Sequence, residues 1–241
     1  MRNTCNGLLR AALGLFAAGG MILVANAQKL EPVPQEQADQ LAALIGPQLT
    51  AKPAKARAIL VFWRCEGFVH GKGIEIGNKA LELAAAQTRA FKADFSGDYE
   101  ALKPDNLAKY DALVLNNTTQ LNTQENRFIE PALVSFVKSG KGLAVIHAGA
   151  DNFYKAETAA EMVGGRFWGH PWGGGGTWAF KLDEPGHPLN AAFGGKGFSQ
   201  GDEIYQQQSP FYNRAKLRVL VSLDFADKAT AEASGQRRAD N

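Results

Sequence analysis

Between Lys141 and His147 the chain runs Gly142-Leu143-Ala144-Val145-Ile146, an apolar stretch too short for a stable helix and lacking polar alternation. Such a stretch reads as a strand buried on both faces, which is the habit of parallel sheets. Parallel neighbours need a crossover between them, commonly a helix, and the preceding sequence supplies the alternation. Residues 58–63 (Ala-Ile-Leu-Val-Phe-Trp) and 112–115 (Ala-Leu-Val-Leu) repeat the apolar pattern, and residues 91–95 form a further candidate strand. Residues 74–91 are rich in alanine and leucine at helical spacing. Asn122 with Glu125 reads as a capping box opening a helix that runs to about Ser139, with Gly140 and Gly142 as stop signals. The pattern predicts an α/β fold, a parallel sheet flanked by helices.

Past Asp151 the rhythm weakens. The sequence predicts a short helix over residues 156–163, a glycine- and tryptophan-rich loop over 164–176, a strand over 177–182 and a last strand over 217–223. The polar tail that follows offers no further core. Ahead of the first strand, residues 28–56 carry Pro32, Pro34, Pro47 and Pro53 around one short apolar segment near residues 41–45. That composition predicts a leader lying on the surface with a short helix.

The first 27 residues read as a secretory signal peptide: Arg2 and Arg10 without an acid, an apolar run over 11–24, and the small-x-small pattern Ala25-Asn26-Ala27 before Gln28. The apolar run is shorter than the roughly 20 residues a spanning helix needs. The expectation is export to a periplasm or the extracellular space, with no membrane attachment after cleavage at or near Gln28. Removal of Arg2 and Arg10 brings the 26 basic residues level with the 24 acidic ones. A neutral chain gives no electrostatic footprint for nucleic acid. Cys5 departs with the leader, so Cys65 alone remains and no intramolecular disulfide can form. Cys65 itself reads as a small buried residue, since cysteine is among the most buried residue types.

Ligands of open parallel sheets bind outside the carboxyl ends of the strands. His147, opening the segment His147-Ala148-Gly149-Ala150-Asp151, stands at such an end. The chain's other histidines, His70, His170 and His187, also follow strand or turn signals. His147, His170 and His187 with Asp151, Asp202 and Glu203 can be an acid–base site or a metal site, zinc suiting such donors. The spacing between these histidines is not a local metal signature. His170-Pro171 and His187-Pro188 read equally well as turn residues whose rings bond the backbone. Gly71-x-Gly73 is a weak phosphate-loop signal. Trp168, Trp172, Trp178, Phe153, Tyr154 and Tyr205 offer flat faces that suit a sugar ring, Trp168 and Trp172 being the candidates for exposed platforms.

Taken in order, Gly67-Phe68-Val69-His70, Asn116-Asn117-Thr118, Gly142 through Asp151, Gly164-Gly165-Arg166-Phe167 with Gly169-His170-Pro171, Gly186-His187-Pro188-Leu189 and Asp202-Glu203-Ile204-Tyr205 resemble the ThuA-like, or trehalose-utilisation, family over residues 57–241. The resemblance implies a flavodoxin-like domain of the class I glutamine amidotransferase-like superfamily, associated with carbohydrate use. It also implies a continuation beyond Asn241, so part of the sheet and one site histidine are expected to be missing and the chain to be less stable than an extended form. Cysteine-dependent amidotransferase chemistry is not expected, because the strand-to-helix turn that would carry a nucleophile carries His147.

The function read from these residues is that of an exported protein binding a small saccharide, trehalose or a related disaccharide or keto-sugar, at the carboxyl edge of the sheet. An enzyme with hydrolase- or isomerase-like acid–base or metal-assisted chemistry is favoured. The alternative is a non-catalytic carbohydrate-binding or interaction domain. His147, Glu203 and Asp202 are the candidate catalytic groups. Arg64, His70, Asn116, Asn117, Asp151, His170, Trp172 and Tyr205 are the candidate substrate contacts, and His147, His170 and His187 the candidate metal ligands.

Overall fold

The computed structural model describes residues 29–45, 53–121 and 127–234. The predicted signal peptide and the Asn122/Glu125 capping box lie outside them. In chain order the elements are α1 (Gln35–Leu44), β1 (Ala58–Phe62), α2 (Gly71–Thr88), β2 (Lys92–Ser96), α3 (Pro104–Leu107), β3 (Ala112–Asn116), α4 (Ile129–Lys138), β4 (Gly142–Ile146), α5 (Glu157–Val163), β5 (Phe167–Trp172), β6 (Trp178–Leu182), β7 (Phe198–Gln200), β8 (Ile204–Gln207), β9 (Val221–Leu223) and α6 (Lys228–Ala233).

Four strands form a parallel sheet in the order β2-β1-β3-β4. The apolar runs explain the centre of that order: Leu60, Val61 and Phe62 of β1 and Leu113 and Leu115 of β3 are buried. On one face Leu60, Phe62, Leu113 and Leu115 join Ile129, Leu133 and Phe136 of α4 and Leu107 of α3 in the main core. On the other face α2 lies against the sheet, where the Asn116 amide donates to the Ile74 carbonyl at 3.0 Å and to Asn78 Oδ1 at 2.9 Å. The leader packs on α2, with Gln87 Nε2 donating to the Ala42 carbonyl at 3.1 Å and the Glu31 amide to Glu75 at 2.7 Å.

Several expectations need correction. β4 is an edge strand pairing only with β3 among the described residues, so Gly142 and Ala144 are exposed and the strand is not buried on both faces. Helix α2 begins at Gly71, not residue 74, and stops at Thr88, where Arg89 takes the left-handed conformation (φ 54°). The segment expected as a loop over 164–176 contains β5, which pairs antiparallel with β8 across two register shifts. Gly169, at φ 147°, sits between those shifts, in a conformation that a side chain rarely adopts. Of the expected last strand only Val221–Leu223 is extended, pairing with β6. The tail is not coreless either. Asp227 caps α6 by accepting from the Thr230 amide at 2.8 Å, and Thr230 is fully buried, its Oγ1 accepting from the Ala179 amide at 2.9 Å.

Candidate functional site

The rim above the parallel sheet is held by pairing that outlasts the strands. Isolated parallel bridges join Cys65 to Thr119 and Thr119 to Asp151, carrying the β1-β3-β4 order into the loops. Two strand ends then turn sharply through left-handed residues, Asn117 (φ 54°) after β3 and His147 (φ 46°) after β4. A non-glycine residue held there carries about 1 kcal/mol of strain, which packing around it must hold in place. At His147 that packing is tight. A Cβ on Gly149 would lie 2.6 Å from Val145 Cγ1 and 3.0 Å from the Leu115 carbonyl oxygen, so only glycine lets the 3-10 turn His147–Ala150 fold back over the strand.

The antiparallel half brings the other groups. Glu203 precedes β8, and Glu203 Oε1 lies 3.4 Å from His147 Nε2 and 3.7 Å from His70 Nε2, while Oε2 lies 3.8 Å from His170 Nδ1. The rings of His70 and His147 stand edge to face at 4.8 Å. Tyr205 packs its ring 4.2 Å from His147 and places its hydroxyl 3.4 Å from His70 Nε2. Phe68 and Phe167 close the aromatic wall beside His70 and Tyr205. The His70, His147 and Glu203 side chains are 19 %, 28 % and 29 % exposed, so the cluster is accessible from solvent.

Two cavities meet at this cluster. One, of about 410 Å³, lies between the end of β4, the end of α5 and β8, and is lined by His147, Asp202, Glu203 and Tyr205 with Val145, Val163 and Gly165. The other, of about 540 Å³, opens at the start of α2 and is lined by Phe68, His70, Lys72, Asn117, His147 and Asp202. His147 and Asp202 border both. Burial and the neighbouring His70 push the His147 pKa below its ordinary value, with Glu203 and Asp202 acting in the opposite direction. The imidazole is therefore neutral near pH 7, able to accept a proton or bind a cation. Burial, with the Glu203 and Asp151 carboxylates, raises the Tyr205 hydroxyl and keeps it protonated.

The structure thus gathers His70, Asn117, His147, His170, Asp202, Glu203 and Tyr205 at one rim. His170 stands on a strand, not in a loop. Other sequence candidates are engaged elsewhere. Trp172 is fully buried with its Nε1 donating to the Thr230 carbonyl at 2.9 Å, so it is a core residue and not an exposed platform. Asn116 is fully buried and spends its amide joining α2 to the sheet. Arg64 donates to Glu66 at 3.0 Å and lies 5.2 Å over the Tyr99 ring, lining neither cavity. Asp151 is buried beneath the rim and accepts from the Tyr154 hydroxyl. His187 caps the 3-10 helix Pro188–Phe193, its Nδ1 accepting from the Leu189 amide at 3.2 Å, and is a turn residue outside the cluster. Cys65 is a free, buried thiol raised by burial, its Sγ donating to the Asn117 carbonyl at 3.1 Å. Sequence reasoning missed Lys72, the middle residue of the Gly71-x-Gly73 signal, as a lining residue.

A four-stranded parallel sheet with helices on both faces and its polar groups at the carboxyl edge defines a flavodoxin-like α/β protein. The family model described as ThuA, trehalose utilisation, matches residues 58–238, and the chain belongs to that family. Two solved structures share the fold. A ThuA-like protein from Bacteroides uniformis is 20 % identical, with 75 % of this chain and 74 % of that one covered at a TM-score of 0.57. A ThuA-like protein from Parabacteroides merdae is 16 % identical, with 73 % and 71 % covered at a TM-score of 0.53. No curated protein matches the chain.

Proposed function

We propose that this protein is exported and binds a small saccharide, trehalose or a related disaccharide or its keto form, in the two joined cavities, and that the cluster of His147 and Glu203 acts on a sugar hydroxyl or carbonyl. The observation that carries the reading is Glu203 standing within 3.8 Å of three histidines where the cavities meet. A histidine and a carboxylate so placed can take a proton from a hydroxyl and return it elsewhere, the central act of hydrolase- and isomerase-like chemistry. Tyr205 and Phe68 supply apolar faces for a sugar ring, Phe167 backing Tyr205, and Asn117, Lys72 and Asp202 supply polar contacts for its edges. Export rests on the leader pattern of the first 27 residues. Among the described residues no helix is long and apolar enough to cross a membrane.

A thermal-shift screen over disaccharides and their oxidised forms tests the binding claim. A rise in melting temperature with at least one sugar is expected, and no response to any of them removes the reading. With a sugar in hand, His147→Ala should keep binding and lose turnover by roughly a hundredfold or more, the usual contribution of a general acid or base. Wild-type protein that binds the sugar and never converts it would leave a carbohydrate-binding module.

A further inference from the structure

We infer that His70, His147 and Glu203 hold a divalent transition-metal ion, of which zinc fits best. Among the described residues these three are the one group whose ligand atoms can meet on a common ion, all lying within 4.8 Å of one another. The individual distances say more than the composition. Glu203 Oε1 lies 3.4 Å from His147 Nε2 and 3.7 Å from His70 Nε2. A charge-assisted N–H···O bond closes to about 2.7–2.9 Å, so neither contact has the length of one. Two ligands on a tetrahedral ion with bonds of about 2.0–2.2 Å stand about 3.3–3.6 Å apart, and both contacts lie at or near that edge length. The two imidazoles present their nitrogens within 4.8 Å of each other as well.

The donor set matches the ion. Two imidazoles and one carboxylate are the protein ligands of open catalytic sites, in which the remaining positions take water or substrate. Here those positions face the two cavities. Coordination through Oε1 leaves Glu203 Oε2 turned toward His170 Nδ1 at 3.8 Å. The three ligands come from three segments: the turn before α2, the strained turn after β4, and the entry to β8. His70 thereby becomes a ligand where the sequence suggested a substrate contact, His147 and Glu203 act by holding the ion rather than by moving the proton themselves, and His187 drops out. The inference rests on the carbohydrate reading only for what the ion would act on. The binding of the ion stands apart from it.

The test uses protein treated with a chelator and then titrated calorimetrically with Zn²⁺ alone, without sugar. One ion per chain at micromolar affinity or tighter is expected. Co²⁺ in its place should give visible absorption in the range and strength of a tetrahedral or five-coordinate site. His70→Ala, His147→Ala and Glu203→Gln should each weaken Zn²⁺ binding at least tenfold, while His187→Ala should leave it unchanged. Circular dichroism confirms that each variant is folded, and Glu203→Asp, which keeps the carboxylate, guards against a variant lost to misfolding by retaining measurable binding. Substoichiometric binding, or binding that survives all three ligand substitutions, overturns the inference. The sugar thermal-shift screen on chelator-treated and Zn²⁺-loaded protein separates the two claims. A sugar response without metal binding refutes only the metal site, and metal binding without a sugar response refutes only the carbohydrate reading.

Discussion

The two halves of this molecule are built on different logic. From Ala58 to Ile146 the chain repeats strand and helix, and every strand of the parallel sheet lies beside its neighbour in simple register. From Phe167 to Ala233 it makes two small antiparallel sheets with a bulged pairing, short strands and a brief terminal helix. The first half has a continuous apolar core and ends two of its strands in strained turns at Asn117 and His147. The second half has little core of its own and contributes Glu203, Tyr205 and His170 to the same rim. The lesson is that the site lies at the seam: the parallel scaffold fixes His70 and His147, and a less regular sheet places the carboxylate and His170 against them.

If the parallel half is the scaffold, damage to it should be felt everywhere. Leu115→Ala empties a fully buried position between β3 and α4 and should cost about 2–5 kcal/mol in denaturant unfolding, with both halves losing structure together. Separate transitions would break the comparison in its simplest form. Thr230→Val addresses the second half. It removes the hydroxyl that accepts from the Ala179 amide and donates to Asp227, leaving a buried donor unpaired at a cost of about 1–3 kcal/mol. Hydrogen exchange should speed in β6 and β9 and stay slow in β1 and β3.

The third prediction has the opposite sign. His147→Gly relieves a left-handed residue and should gain up to about 1 kcal/mol of stability while abolishing turnover, a trade that a merely structural histidine would not show. The smallest effect concerns Asp111, the residue before β3. Lys55, the Ala58 amide and Arg57 hold its carboxyl well below the ordinary carboxylate range. A depressed folded-state pKa contributes stability that is fully present above the unfolded value and is lost as pH falls through the folded one. Acid unfolding of Asp111→Asn should therefore be slightly less steep below the ordinary carboxylate range, and salt should narrow the difference, since the group is at the surface.

How far the sequence could be read follows the same division. The apolar runs around Leu60, Leu113 and Val145 announce strands because their burial requires unbroken hydrophobicity. The helix at 71–88 was legible by its periodicity, though its start was obscured by Gly71 and Gly73, which look like a loop. Beyond Asp151 the signals fail for physical reasons. The bulge at Gly169 interrupts the alternation of β5, so Phe167–Trp172 resembles a loop, and Trp172 between Pro171 and Gly173 looks exposed when it is the largest fully buried side chain. The Asp227 cap three residues before Thr230 was the one available sign of α6. At the site, the histidines stood out by rarity and position, whereas the approach of Glu203 to His147 depends on a pairing of β5 with β8 that no local pattern encodes.

The chain has four histidines, which makes its imidazoles a direct probe of the central claim. In a nuclear magnetic resonance titration of the ring signals with trehalose and its oxidised form, the account predicts that His70, His147 and His170 shift together with one affinity while His187, on its separate turn, does not move. Saturable shifts confined to His187, or none in any histidine across both sugars, would contradict it.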